Sequence, residues 1–242
     1  MDRVQDKVVV VTGASSGIGR AIAQKLSEHG ALLVLGARRE DRLQELASRL
    51  PNPAEYRVTD VTRREQVEAL ARAALDRFGR IDAWVNNAGV MPLSRMEMDK
   101  VDEWERTVDV NIKGVLWGIH AALGHMLTRG HGHFVNISSV GGLKTMPTAA
   151  VYCGTKYAVR AIGEGLRMET AGKVRVTTIY PGAVTSELTH GISVPEVRRS
   201  MDAFVDIAIP PEAIADGVLY ALGQPADVAV TDLVIRPARQ EF

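Results

Sequence analysis

Short runs of β-branched and other apolar residues recur along the whole chain, and most of them are nearly continuous rather than alternating with polar residues. Such runs are typical of strands that are covered on both faces of a sheet. The seven strands that this pattern predicts are Lys7–Thr12, Leu32–Gly36, Glu55–Val58, Ala83–Asn86, His133–Ser138, Val174–Tyr180 and Ala229–Ile235.

Between the strands lie stretches in which apolar residues return every three or four positions, as in an amphipathic helix. They include Ile18–His29 and Arg63–Phe78, and Val101–Arg129 and Ala150–Ala171 are each expected to cross the sheet as one helix. Strands that alternate with helices predict a parallel sheet with helices on both faces. Since the chain has no repeat, linker or break in composition, the expected fold is α/β. It is a single doubly wound domain over residues 1–242 with a seven-stranded parallel sheet.

Composition and charge exclude several classes of protein. The chain has 242 residues, and its 29 Lys and Arg balance its 29 Asp and Glu, so no nucleic-acid partner is expected. No apolar run approaches the ~18–20 residues that span a bilayer. Because the charges of Met1–Lys7 are mixed, neither a membrane partner nor a secretory signal is expected. The one cysteine, Cys153, suits a reducing compartment, so the expected location is cytoplasmic.

The first predicted strand runs into a glycine-rich turn, TGASSGIG at residues 12–19, where a helix begins. Glycines let a phosphate approach the main chain closely, and the amides and dipole of a following helix face the pyrophosphate of a dinucleotide. The alternative is a plain strand-to-helix turn with a capping serine. Because a strand, three spaced glycines and a helix occur together, the sequence favours nucleotide binding.

The Gly-x3-Gly-x-Gly spacing resembles the glycine motif of the short-chain dehydrogenase/reductase family. Further motifs of that family follow in the same order over nearly the whole chain: Asn86-Asn87-Ala88-Gly89, Tyr152-x3-Lys156 and Pro181-Gly182. The resemblance implies a Rossmann-type domain that binds a nicotinamide cofactor. It implies cofactor contacts from Gly13, Ser15, Ser16, Gly17, Ile18, Gly19, Arg38, Arg39, Asp60, Val61, Asn87, Ala88, Gly89, Tyr152, Lys156, Pro181, Gly182, Val184 and Thr185.

The end of the second strand indicates which nicotinamide cofactor binds. In dinucleotide folds an acidic residue there binds the ribose 2′-hydroxyl, whereas an arginine accommodates the 2′-phosphate of NADP. This chain has Ala37 at the position of the acid, followed by Arg38 and Arg39, so NADP(H) is the predicted cofactor. The alternative is that both arginines only pair with the acidic residues that follow them.

The catalytic prediction rests on Tyr152 and Lys156, whose spacing of four places them on one face of a helix. An ordinary tyrosine is only about 0.1% phenolate at pH 7, and a lysine ammonium nearby is expected to lower its pKa. The tyrosine then acts as general acid toward a carbonyl oxygen or as general base toward an alcohol. The resemblance implies that Lys156 also binds the nicotinamide ribose.

Two further residues complete the family's catalytic tetrad. The family's serine lies thirteen residues before its tyrosine, which selects Ser139 over Ser138, and its hydroxyl polarises the substrate carbonyl. The resemblance assigns Asn111 to a water that links the lysine to solvent. The alternative for Asn111 is a hydrogen bond to neighbouring backbone.

Other polar and sulfur-containing residues have structural alternatives. Asp60 suits an adenine contact or the cap of a helix near Thr62. Asn86 is expected to support the sheet, and His131 and His133 are expected to lie in a loop rather than at a metal, so no metal site is predicted. Core packing and an apolar substrate mouth are equally open for Met91, Met96, Met98 and Met146. Ser186–Ile209 is expected to be a mobile flap over the substrate.

Together these features predict an NADPH-dependent oxidoreductase that reduces the carbonyl of a small molecule to an alcohol, or the reverse. The segment Ile235–Gln240 resembles a branch of the family with clavulanic-aldehyde reductases and serine 3-dehydrogenases. The alternatives are a 3-oxoacyl-carrier-protein reductase of fatty-acid synthesis and a catalytically idle NADP-sensing regulatory protein. The family resemblance favours a homotetramer or homodimer.

Overall fold

The computed structural model describes residues 4–170 and 172–241, and of residues 202 and 203 it describes only the backbone. The expected domain ends 1–3 and 242, and the predicted helix end at Ala171, lie outside these residues. The strands are β1 Val8–Thr12, β2 Leu32–Ala37, β3 Ala54–Val58, β4 Ala83–Asn86, β5 Gly132–Ile137, β6 Val174–Pro181 and β7 Asp232–Ile235.

These strands form one sheet in the order β3-β2-β1-β4-β5-β6-β7, and every neighbouring pair is parallel. The predicted seven-stranded parallel sheet is therefore confirmed. The first six strands match the sequence pattern to within one residue at each end, whereas β7 begins three residues later than predicted. The strand order reverses between β1 and β4, and a crevice opens beyond the carboxyl ends of strands at such a point.

Helices cover both faces of the sheet. They are α1 Gly17–Glu28, α2 Glu40–Arg49, α3 Arg64–Phe78, α4 Val101–Val108, α5 Gly114–Arg129, α6 Ala150–Thr170, α7 Pro195–Ser200, α8 Asp202–Asp206 and α9 Glu212–Leu222. The apolar faces of α1, α2 and α9 enter one core cluster, and those of α3, α5 and α6 enter the other. Along the described ranges, no helix is both long enough and apolar enough to cross a bilayer.

One predicted helix is interrupted. The stretch 101–129 forms α4 and α5, with a wider π-helical turn, Asp109–Lys113, between them. Asn111 lies in this turn, where its side-chain oxygen accepts a hydrogen bond from the Val90 amide and its nitrogen donates to the Val90 carbonyl. Such turns insert one extra residue into a helix and often occur at functional sites. Here the turn coincides with the side chain that links the helix to the loop after β4.

The expectation that His133 lies in a loop is wrong, because it is the second residue of β5 and is buried. This buried histidine predicts acid sensitivity. His133 is 2% exposed, its Nε2 lies 2.8 Å from the Thr177 hydroxyl, and its Nδ1 meets no partner among the described residues. Burial lowers the pKa of His133 to about 3. Below its ordinary pKa of 6.5, the unfolded chain therefore binds a proton that the folded chain excludes, and the free energy of unfolding falls as the pH falls.

Replacing His133 with glutamine, which keeps a polar group near Thr177 but does not titrate, is expected to remove this dependence. For a histidine with this pKa, the free energy of unfolding falls by roughly 1 kcal/mol for each unit by which the pH is lowered between about 6 and 4. Urea denaturation at pH 7.5, 6.0 and 5.0 measures the slope, and the exposed neighbour His131→Gln is the matched control. Equal slopes in the wild type and His133→Gln would contradict the assignment.

Candidate functional site

A cavity of about 740 Å³ lies at the carboxyl ends of the strands, where the order of the sheet reverses. It extends from the end of β2, past the glycine-rich turn, to Tyr152 and the segment 186–209 that covers it. Every predicted site residue other than Asn111 lines this cavity, so residues far apart in the sequence meet at one place. Its volume is in the range of sites that bind cofactor-sized ligands.

The glycine-rich turn forms a cradle that only glycines fit. A side-chain carbon on Gly19 would lie 2.3 Å from the Gly13 carbonyl oxygen, and one on Gly13, whose φ is +67°, would lie 2.8 Å from the Ala88 Cα. Asn87 stabilises this close approach by donating to the Thr12 carbonyl at 2.9 Å. The main chain is thereby left open to a ligand at the start of α1, where amides and the helix dipole favour phosphate.

Ser16 occupies the N-cap position of α1, but its side chain makes no capping hydrogen bond, unlike in the alternative interpretation. The Ser16 hydroxyl accepts a hydrogen bond from Arg39 Nη2 at 2.7 Å, and the Ser15 hydroxyl accepts from the same nitrogen at 3.1 Å. Arg39 therefore lies over the turn, while the exposed Arg38 lines the same end of the cavity. The alternative for the two arginines was that they pair with the acidic residues that follow them. Those residues, Glu40 and Asp41, lie in the first turn of α2, and Arg39 binds Glu187 instead.

Asp60 follows β3 and lines the cavity, but its side chain is already used locally. Its carboxylate accepts hydrogen bonds from the Thr62 amide at 3.0 Å and the Thr62 hydroxyl at 2.8 Å. Burial opposes ionisation, yet these hydrogen bonds outweigh it and the pKa of Asp60 is lowered. Asp60 thus orders the turn that precedes α3, which begins at Arg64.

Tyr152 and Lys156 lie on the inner face of α6, and both are almost fully buried. Lys156 Nζ donates to the Ile137 carbonyl at the end of β5 at 3.0 Å and lies 5.8 Å from the centre of the Tyr152 ring. The Ser139 hydroxyl accepts a hydrogen bond from the Gly141 amide at 3.0 Å and is close enough to the Tyr152 phenol to influence its pKa. The hydroxyl, the phenol and the ammonium thus converge on one wall of the cavity.

Burial dominates the electrostatics of this wall. Burial raises the pKa of Tyr152 to about 12, although the hydrogen bond with Ser139 lowers it in part. Burial also lowers the pKa of Lys156 to about 8. Burial thus shifts the pKa of Tyr152 in the direction opposite to the one expected from Lys156, and the effect of Lys156 itself stays a prediction. Burial is the largest influence on the phenol, and Tyr152 keeps its proton near pH 7.

The two adjacent serines have different surroundings. Ser138 is buried and donates its hydroxyl proton to the Lys156 carbonyl at 3.1 Å, so it joins β5 to α6. Ser139 is the one that reaches Tyr152. Asn111 lies behind the cavity wall and donates to the Thr155 hydroxyl at 3.1 Å, besides its two bonds with Val90. The backbone alternative for Asn111 is thus present in the structure, and the water relay stays a prediction.

The segment after β6 is held by Gln240, the last residue of the segment Ile235–Gln240, for which no site role was predicted. Gln240 Oε1 accepts a hydrogen bond from the Ala183 amide at 2.9 Å, and a side-chain carbon on Gly182 would lie 2.2 Å from that oxygen. Gln240 is buried and lines the cavity beside Pro181 and Val184. Its position near the end of the chain gives no motif from which this contact is predicted.

The predicted flap, residues 186–209, is folded over the cavity. Its ends are joined because the Ile209 amide donates to the Ala183 carbonyl and the Thr185 amide donates to the Ile209 carbonyl, each at 3.0 Å. Ile192, Val194 and Val197 are buried in a small apolar cluster with Tyr152. Among the four methionines, Met91 and Met146 line the cavity, Met98 packs against this cluster and Met96 is 52% exposed.

A parallel sheet with a glycine cradle at its switch point defines a dinucleotide-binding α/β protein. The family model for short chain dehydrogenases matches residues 7–196, so the chain belongs to that family. An uncharacterized oxidoreductase of Staphylococcus saprophyticus is 49% identical over the whole length of both chains.

Solved structures resemble this chain over almost its full length. A serine dehydrogenase in its closed form, complexed with NADP+, is 31% identical with a TM-score of 0.91 and covers 97% of this chain and 96% of its own. A short chain dehydrogenase/reductase from Burkholderia phymatum, in complex with NAD, is 27% identical with a TM-score of 0.89 and covers 97% of this chain and 90% of its own. Both nicotinamide cofactors therefore occur among similar structures.

Proposed function

We propose that this oxidoreductase uses NADP(H) to reduce the carbonyl group of a small molecule to an alcohol, or to catalyse the reverse reaction. The observation that carries the proposal is the convergence of Tyr152, Ser139 and Lys156 on one wall of a cavity whose other end holds Arg38 and Arg39. The glycine cradle and the length of the cavity fit a dinucleotide lying between these ends. The NADP+ complex of the similar serine dehydrogenase supports both the cofactor and the reaction class.

A nicotinamide cofactor bound in this cavity supplies or accepts the hydride. Tyr152 keeps its proton because its pKa is raised to about 12, so it is a general acid that can protonate the carbonyl oxygen of the substrate. The Ser139 hydroxyl lines the cavity near the same phenol and is placed to donate to that oxygen and stabilise the charge that develops there. In the reverse direction, Tyr152 accepts the proton of an alcohol, which requires its phenolate.

Lys156 and Gln240 position the surrounding groups in this proposal. The Lys156 ammonium, anchored at the Ile137 carbonyl, lies where it favours the phenolate and can bind a ribose hydroxyl. Gln240 fixes the Ala183 amide and with it the segment after β6, where we place the carboxamide of the nicotinamide. Tyr152 itself is almost fully buried at the cavity wall, so little of the phenol is open to water.

Replacing Arg38 with aspartate is expected to weaken NADPH binding and raise the relative use of NADH, because a carboxylate repels the 2′-phosphate and accepts from a 2′-hydroxyl. The test is kcat/KM for both cofactors across a panel of aldehydes and ketones. We expect the ratio of kcat/KM with NADPH to kcat/KM with NADH to fall at least ~10-fold, which is the effect of losing one charge-assisted contact. Arg72→Asp, on the solvent side of α3, is the control for the change in charge. A wild-type preference for NADH would contradict the proposed cofactor.

A homotetramer or homodimer stays a prediction. Large apolar side chains are exposed on α5, α6 and α9, and we propose that a second copy of the chain covers some of them: Leu116 and Leu127 on α5, Met168 on α6 and Tyr220 on α9. Sedimentation equilibrium of the purified protein measures the number of chains in the particle.

The cytoplasmic location also stays a prediction.

A further inference from the structure

Glu187, at the start of the flap, binds two arginines of the β2–α2 segment at once. Its Oε2 accepts from Arg39 Nη1 at 2.7 Å, and its Oε1 accepts from Arg42 Nη1 at 2.6 Å. Hydrogen bonds from Arg42 and Arg39 lower the pKa of Glu187 to about 2, so the carboxylate is charged throughout the physiological range. Neither Glu187 nor Arg42 belongs to a motif of the sequence analysis.

The donors of Arg39 are shared between the glycine-rich turn and the flap. Its Nη2 binds the hydroxyls of Ser15 and Ser16, while its Nη1 binds Glu187. A guanidinium binds a phosphate through the same forked donors with which it binds a carboxylate. If Arg39 binds the 2′-phosphate, Glu187 and that phosphate therefore compete for one group, because two anions cannot both occupy the Nη1 side of the fork.

Glu187 lies in the first turn of the flap, next to the glycine-rich turn. Ser186 lies against the glycine-rich turn, where a side-chain carbon on Gly17 would be 3.3 Å from the Ser186 Cβ. The segment Glu187–Gly191 forms a single short turn, and its residues Leu188 and His190 line the cavity. The ion pairs of Glu187 thus join this turn to the segment after β2, about 145 residues earlier in the chain.

We propose that Glu187 is a specificity-determining residue: its carboxylate competes with the 2′-phosphate for Arg39 and holds the flap down through Arg39 and Arg42. This inference rests on the proposed function, because it requires that the 2′-phosphate of NADP(H) binds at these arginines. Binding of that phosphate displaces Glu187 and frees the first turn of the flap. NADH lacks the phosphate and leaves the ion pairs in place.

The first test replaces Glu187 with glutamine and measures cofactor dissociation constants by fluorescence titration. Removing the competitor is expected to lower the Kd for NADPH about five-fold, the factor that an exposed ion pair of ordinary strength provides, and to change the Kd for NADH by less than about two-fold. Glu196→Gln removes the same charge from an exposed position of the flap and serves as the matched control. A higher Kd for NADPH in Glu187→Gln, or an equal fall in Glu196→Gln, would overturn the proposal.

The second test follows the flap itself in the full-length protein. Trypsin cleavage after the exposed Arg198 and Arg199 is timed with no addition, with 2′-AMP and with 5′-AMP. We expect 2′-AMP to accelerate cleavage of the wild type several-fold and 5′-AMP to leave it unchanged. Glu187→Gln is expected to be cleaved at the faster rate without any addition. Equal effects of the two nucleotides on the wild type would contradict the displacement of Glu187.

The two tests separate the failure of this inference from that of the proposed function. If the wild type binds NADH at least as tightly as NADPH, the cofactor assignment is wrong, and the inference that depends on it is wrong as well. If the wild type binds NADPH more tightly but Glu187→Gln changes neither the Kd nor the cleavage rate, only the role of Glu187 is refuted. Carbonyl reductase activity enters neither measurement.

Discussion

Replacing Tyr152 with phenylalanine is expected to lower the turnover of carbonyl reduction by at least ~10²-fold. The change removes the transferable proton but keeps the ring, which packs in the small apolar cluster beneath the flap. Because burial raises the pKa of Tyr152, the wild-type phenol carries this proton near neutral pH. The measurement is NADPH oxidation under substrate saturation, with an aldehyde or ketone identified in the substrate panel.

Two controls test whether the lower turnover comes from the loss of the Tyr152 proton. Tyr157→Phe makes the same change on an exposed face of α6 and is expected to retain wild-type turnover. The Kd of Tyr152→Phe for NADPH is expected to stay within about two-fold of the wild type, because the loss concerns proton transfer rather than binding. A variant that keeps most of its turnover would refute the role of Tyr152 as the acid.

Replacing Lys156 with methionine is expected to affect alcohol oxidation most. Oxidation requires the Tyr152 phenolate, and a cation 5.8 Å from the ring centre favours that form. Without the ammonium, burial raises the pKa of Tyr152 unopposed, and below this pKa each unit of increase lowers the phenolate fraction about tenfold. We therefore expect the rise of kcat/KM for oxidation to move to higher pH, and the cofactor to bind more weakly.

The pH profile distinguishes Lys156 from an ordinary surface lysine. Lys173→Met alters an exposed lysine after α6 and is expected to leave the profile of kcat/KM and the cofactor Kd unchanged. Lys156→Met is expected to move both, whereas a purely structural contribution of its bond to Ile137 would lower stability without moving the pH profile. If neither quantity moves in Lys156→Met, the residue lies outside the reaction and the proposed mechanism loses its main support.

Much of the fold is readable from the sequence because its signals are local. Continuous apolar runs predict strands buried on both faces, and six strands agree with the structure to within one residue at each end. The glycine spacing at residues 13–19 predicts the cradle because a side chain at Gly13 or Gly19 would collide with the backbone. The spacing of Tyr152 and Lys156 likewise predicts their common helix face.

The sequence was less informative where several segments share a contact. The π-helical turn around Asn111 breaks a helix that the pattern predicts to be continuous, because the bonds that accompany it are made to Val90 in a separate loop. Gln240 reaches Ala183 across 57 residues, and Arg39 reaches Glu187 across 148. No periodicity in the sequence records such a pair, since each partner alone is an ordinary polar residue.

By itself, the sequence determined the class of fold, the glycine cradle and the identity of the residues that meet at the carboxyl edge of the sheet. Only the tertiary structure decided how those residues are charged and held. The same Tyr152 that a nearby lysine was expected to acidify has its pKa raised to about 12, because burial withdraws it from water. Desolvation depends on every segment that covers a group, so it is a property of the packed fold rather than of any motif within it.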